Sequence, residues 1–156
     1  MIELKKYKQL IFSIVIALAI GGLSAFLTKD SMEIYHSINR PTLAPPGYLF
    51  PIVWSILYIM MGTSSYLIHQ SDHRLKETAL IIYYFQLLVN FSWPIVFFNY
   101  QNYLLALAIL FVLVILIIIL IKLTYQINHF SSYLLIPYLL WLLFALYLNF
   151  WIFIHN

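Results

Sequence analysis

The sequence predicts an all-α polytopic membrane protein, a bundle of five transmembrane helices forming one domain over residues 1–156. Three observations carry this. Hydrophobic residues make up 64% of the chain and charged residues only 8%, whereas a soluble globule needs roughly a quarter charged residues. Uncharged stretches long enough to cross a bilayer recur along the chain. These stretches are continuously apolar rather than alternating, which argues against a β-barrel.

The first span is expected near residues 10–28, because no charge falls between Lys8 and Lys29. Lys5, Lys6 and Lys8 before it resemble the start of a signal peptide. However, Leu10 to Leu27 is too long for the apolar part of one, and no clean small-x-small site follows, so the span is read as retained. The second is expected at 49–69, with Pro51 in its first turn, where a missing N–H costs little. From Thr78 to Ile121 there is no Asp, Glu, Lys or Arg, a run of about twice one crossing. It folds back best at Asn99-Tyr100-Gln101-Asn102, which gives spans at 79–98 and 103–121. The fifth is expected at 133–154.

Loop charges orient the bundle. Lys5, Lys6, Lys8, Arg74, Lys76 and Lys122 fall on one side, and only Lys29 and Arg40 on the other. The positive-inside rule then places the N-terminus in the cytoplasm. The loop at 29–48 is much longer than the rest, and Pro41, Pro45, Pro46 and Gly47 stiffen it. A stiff loop at a bundle mouth suits a lid.

Composition excludes several functions. The chain has no cysteine, so disulfide, zinc-cluster and thiol chemistry drop out. A net charge of +3, scattered through loops, is no nucleic-acid footprint. Glu3, Asp30, Glu33, Asp72 and Glu77 are all expected in the terminus or loops. His36, His69, His73, His129 and His155 fall outside the spans or at their ends. Without a titratable group in a span there is no proton relay, no base for Ser92 and no di-metal carboxylate site. His69 and His73 have i, i+4 spacing but no third ligand nearby, so no metal site is expected.

What the spans hold instead is aromatic and amide. Asn90 lies mid-span and needs a partner. Trp93, Pro94 and Phe97 share its face, and Pro94 is placed to kink the helix toward a cavity. In the fifth span Pro137 and Tyr138 lead to Trp141, Ala145, Leu148 and Asn149, with a notch where the small Ala145 follows Trp141. Phe50, Trp54, Tyr58 and Met61 recur on one face of the second span. Trp151, Tyr48, Tyr103 and Tyr133 fit an interfacial belt, but Trp93 and Trp141 lie too deep for one. The expected pocket is neutral, aromatic and suited to a flat hydrophobic molecule. Small residues Ala106 and Ala108 suit the face of a homodimer.

These residues resemble the TspO/MBR family, which includes tryptophan-rich sensory proteins and the mitochondrial translocator protein. The likeness rests on Asn39-Arg40-Pro41-Thr42-Leu43-Ala44-Pro45-Pro46-Gly47 with Phe50, Val53-Trp54, Leu57-Tyr58 and Met61-Gly62. It rests also on Asn90-x-x-Trp93 with Phe97-Phe98, and on Pro137-Tyr138-x-x-Trp141-x-x-Phe144-Ala145-x-x-Leu148-Asn149. The resemblance implies a five-helix bundle that binds porphyrins such as protoporphyrin IX or haem, and isoquinoline- or benzodiazepine-type drugs, under a lid formed by the first loop. By matching position it implies that Tyr35, Trp54, Asn90, Trp93, Trp141, Phe144 and Ala145 surround the ligand, with Pro45 in the lid. No cofactor is required. Porphyrin is the ligand, with light-dependent porphyrin breakdown at Trp54 and Trp141, or transport, as alternative activities. The chain departs from the family at Ile34 and Leu43, where aromatic residues are common. Phe150 and Ile154 stand where animal members carry the Tyr and Arg of a cholesterol motif. A bacterial plasma membrane is the expected home.

Overall fold

The computed structural model describes residues 1–156. The order is α1 (Ile2–Thr28), a 3-10 turn (Lys29–Ser31), α2 (Ile34–Ser37), α3 (Leu49–His69), α4 (Lys76–Pro94), a π turn (Ile95–Asn99), α5 (Tyr103–Ile127) and α6 (His129–His155). Five of these, with the third counted through the π turn, are long and apolar enough to cross a membrane. With their apolar faces turned outward, as in α5 at Phe111, Ile115 and Ile118, the chain is an integral multi-pass membrane protein.

The expected spans recur with shifted ends. α3 begins and ends where the second span is expected. α1 starts eight residues earlier than expected, so Lys5, Lys6 and Lys8 lie on its first turns rather than in a tail. Glu3 and Glu77 likewise sit in the first turns of α1 and α4, where the partial positive charge of the helix start favours a carboxylate. α5 runs on to Ile127, which puts Lys122 inside the helix and not in a loop. Its side chain is exposed and long enough to carry the charge out along the helix.

Side-chain caps fix the short connections. The Asn102 side chain accepts from Leu105 N at 3.0 Å and starts α5. The Asn128 side chain accepts from Phe130 N and Ser131 N and starts α6. Gln101 takes the left-handed conformation, φ 49°, and completes the fold-back at 99–102. Asn99 ties that turn to the end of α1 by donating to Leu27 O at 3.0 Å.

The core lies between α3, α4, α5 and α6, around Met61, Tyr83, Leu87, Leu113, Tyr138 and Leu142. Helix α1 packs against α3 through Gly62, where an added Cβ would lie 2.5 Å from the Ile14 Cα. Ala106 is fully buried beside Phe97, Phe98 and Ile152, so it belongs to the protomer's own core and not to a dimer face. Ala108, two residues on, points outward.

Candidate functional site

A cavity opens between α1, α3, α4 and α6, under the loop at 29–48. Helix α3 contributes Phe50, Pro51, Trp54 and Tyr58, and α4 contributes Asn90, Trp93 and Pro94. From α6 come Trp141, Ala145, Leu148, Asn149 and Ile152. The fourth wall is α1, through Gly21, Ser24, Ala25 and Thr28, which the sequence reading missed. The signal was there: four small residues at i, i+3, i+4 and i+7 form one stripe. Gly21 matters most, since an added Cβ would come within 2.2 Å of the Tyr58 ring.

Pro94 shapes the far wall. It supplies no N–H, and the helix passes into a π turn directly after it. Ile95 N donates to Ser92 O, and the Phe91 carbonyl accepts from Ser24 Oγ at 3.2 Å. The π turn aims Phe97 and Phe98 at the cavity. Phe97 lies 5.1 Å from Trp93, ring centre to ring centre.

Asn90 has the partners its depth demands. Tyr58 Oη donates to Asn90 Oδ1, and Asn90 Nδ2 donates to Tyr138 Oη at 2.7 Å. Tyr138 Oη in turn donates to Gln86 Oε1 at 2.8 Å, and Gln86 Nε2 reaches Met61 Sδ at 3.7 Å. This neutral chain crosses from α3 through α4 to α6. Its Gln86 segment was not visible in sequence, because a buried Gln looks like any other polar residue until its partner is known. Trp93 Nε1 donates to Asn149 Oδ1 at 3.0 Å, and Asn149 Nδ2 donates to Tyr103 O at 2.9 Å.

The expected site residues distribute as follows. Tyr35, Trp54, Asn90, Trp93, Trp141 and Ala145 all line the cavity. Trp54 stacks on Tyr58 at 5.6 Å and meets Tyr138 edge-on at 6.1 Å. Trp141 stands edge-on to Phe50 at 5.9 Å, and its buried Nε1 has no hydrogen-bond partner. Ala145 leaves the cavity open beside Trp141. Phe144 does not line it; the ring sits behind Trp141 at 5.5 Å. Pro45 is also off the wall, and its carbonyl accepts from Tyr35 Oη at 2.7 Å. His69 pairs with Tyr84 Oη at 2.9 Å, and His73 Nδ1 accepts from Leu75 N.

The loop is ordered over the mouth. Arg40 lies over the Tyr35 ring at 4.5 Å, and Tyr35 meets Phe50 edge-on at 5.1 Å. Asn39 N donates to Asn156 Oδ1 at 3.0 Å, Asn156 Nδ2 donates to Asn39 O at 3.0 Å, and Asn39 Nδ2 donates to His155 O at 3.2 Å. Burial pushes the Tyr35 phenol above its usual 10.0, partly offset by Arg40. It therefore keeps its proton and remains a donor at neutral pH.

Comparison with known proteins agrees with this architecture. The TspO/MBR family matches residues 13–154. The tryptophan-rich protein TspO of Archaeoglobus fulgidus is 37% identical over 95% of this chain and 97% of its own length. That of Chlorobaculum tepidum is 34% identical over 94% of each chain. The human translocator protein is 30% identical over 81% of this chain and 77% of its own. With five membrane-spanning helices and a match along nearly the whole chain, the protein belongs to the TspO/MBR family.

Proposed function

We propose that the chain is a membrane receptor or sensor that binds porphyrins, such as protoporphyrin IX or haem, and related flat hydrophobic molecules in the α1/α3/α4/α6 cavity. The observation that carries this reading is the wall itself. Three indoles, from Trp54, Trp93 and Trp141, face an uncharged space whose polar groups are mostly committed to one another. Such a wall favours a planar apolar ring system by burial and ring contact, and leaves ionised groups such as a porphyrin's carboxylates for the mouth, where Arg40 stands.

Titrating protoporphyrin IX into the purified protein tests this. Three of the four tryptophans line the cavity, so emission should fall by well over half at saturation. Unchanged emission across a micromolar titration would refute binding.

A second reading, light-dependent porphyrin breakdown, draws support from Trp54. Its indole contacts both Tyr58 and Tyr138, so the one-electron hole left on it when the photoexcited porphyrin takes an electron, becoming its radical anion, has neighbouring phenols to share it. Illumination of the complex with Trp54→Phe and Trp141→Phe separates the readings: the Soret band decays more slowly if the indoles react, and unaltered decay removes the enzyme. A third, suggested by the human relative's name, is translocation; uptake into proteoliposomes no faster than into empty vesicles would exclude it. We further propose a bacterial cell membrane, because Phe150 and Ile154 replace the Tyr and Arg of the animal cholesterol motif, with the N-terminus inside, on the charge asymmetry of the bundle's two ends.

A further inference from the structure

A second apolar depression faces the lipid between α3 and α6. Its floor includes Ile56, Met60, Pro137, Leu140 and Trp141. Trp141 is therefore common to this groove and to the internal cavity, a single indole between bilayer and binding space. It sits at mid-length of α6, so at membrane depth the groove opens to acyl chains rather than to water.

The route through the aqueous mouth is obstructed and polar. At the aqueous mouth the loop is latched by the Tyr35–Pro45 bond and the Asn39–Asn156 clasp. A flat apolar solute concentrates in the bilayer by the same transfer free energy that brings it into the cavity, so a passage through water adds a desolvated-to-solvated step that a lateral passage avoids.

The local construction allows movement at the gate. Trp93 is tethered by its Asn149 bond, but Trp141 Nε1 is buried without a partner, so turning the ring breaks no hydrogen bond. Pro137 lies one turn before it and interrupts the α6 ladder. Farther along, Ser64 Oγ donates to Ser131 O at 2.8 Å and Ser131 Oγ donates to Ser64 O at 2.9 Å, which pins α3 to α6 on the far side of the proline. The helices are thus fastened at Ser64/Ser131, jointed at Pro137 and closed at the groove only by side chains.

We propose that planar hydrophobic ligands pass between the bilayer and the cavity laterally, through the α3/α6 groove, with the Trp141 indole as its gate. This rests on the ligand-binding reading above. Because the chain has no cysteine, Ile56→Cys can be given a bulky thiol label in the groove. Ile59→Cys carries the same label on the same helix, exposed to lipid but outside the groove, and Leu43→Cys carries it on the loop. Protoporphyrin IX is then delivered from phosphatidylcholine vesicles to protein in phosphatidylcholine nanodiscs, and tryptophan quenching is followed by stopped flow and at equilibrium. The label at 56 should slow association and release together, by roughly tenfold, with half-saturation moving less than about twofold. Labels at 59 and 43 should leave both rates near those of the unlabelled protein. Slowing by the loop label with none at position 56 would overturn the lateral route while leaving ligand binding intact. Loss of equilibrium quenching in the unlabelled protein would overturn ligand binding and the route with it. Helicity and melting of each labelled protein guard against misfolding; if Ile56→Cys fails there, the label is moved to Leu140→Cys on the facing wall, under the same criteria.

Discussion

At the scale of single residues, the buried amide of Asn90 decides the polar interior. Its nitrogen and its oxygen are answered from two other helices, by Tyr138 and Tyr58. Asn90→Leu orphans the buried Tyr58 hydroxyl, worth about 1–3 kcal/mol, and takes from Tyr138 Oη the bond it accepts while leaving the one it donates to Gln86 Oε1. Thermal unfolding in detergent should therefore show a loss of several kcal/mol. Combining it with Tyr138→Phe should be less than additive, because both changes remove the same Asn90–Tyr138 bond. Tyr35 acts differently, as the pin of the loop. Tyr35→Phe deletes the bond to the Pro45 carbonyl, and amide exchange across 41–47 should quicken with little change in global melting. The sign of its pH dependence follows from burial. The folded phenol holds its proton more tightly than the unfolded one, so its contribution is complete below the usual value of 10.0 and is lost as pH rises past it. Loop exchange in the native protein should stay constant from neutral pH up to the usual phenol value of 10.0 after correction for intrinsic rates, then accelerate, and Tyr35→Phe should abolish that alkaline step.

At the scale of elements, glycine positions set how closely α1 approaches the bundle. Gly62 meets the Ile14 backbone and Gly21 meets the Tyr58 ring, both nearer than any Cβ tolerates. Gly62→Ala forces α1 away from α3 and should cost about 1–3 kcal/mol by overpacking. Gly21→Ala should displace Tyr58 from Asn90 and weaken ligand quenching as well as stability, whereas Gly22→Ala, which meets nothing within 4 Å, serves as control. These contacts also mark where sequence reading stops. The helices were legible because bilayer thickness imposes their length, and the aromatic stripes of α3, α4 and α6 were legible because 3.6-residue spacing puts Trp54, Asn90, Trp93 and Trp141 on inward faces. The part played by α1 was not, because small residues lack a signature until the ring that fills the space above them is known. Phe144 shows the converse. The family resemblance places it at the wall, yet it packs one layer behind Trp141. Ala106 failed for a similar reason: a small residue on a membrane helix serves a close approach within the protomer as readily as one between protomers.

At the scale of the whole molecule, the bundle separates its charges from its binding space. Every Lys, Arg, Asp and Glu lies outside the cavity wall, and no wall residue ionises near neutral pH. Arg40 and Lys29 stand only at the mouth, with Arg40 engaged on Tyr35 and Lys29 over Phe26 at 4.3 Å. A neutral planar ligand should then bind with an affinity that does not change between low and high salt, because no Coulomb interaction is present to be screened. A porphyrin carrying carboxylates tests the mouth separately. If its acid groups reach Arg40, affinity should fall as salt rises, and Arg40→Gln should erase that dependence while the neutral ligand is unaffected. Because the four walls come from four helices, either ligand also links them. At a hundredfold excess over its dissociation constant it should stabilise the fold by about 2.7 kcal/mol, seen as a higher melting temperature. Binding confined to the outer groove would touch only α3 and α6, and would leave the loosening caused by Gly62→Ala uncorrected; binding in the cavity spans α1 as well and should recover part of it.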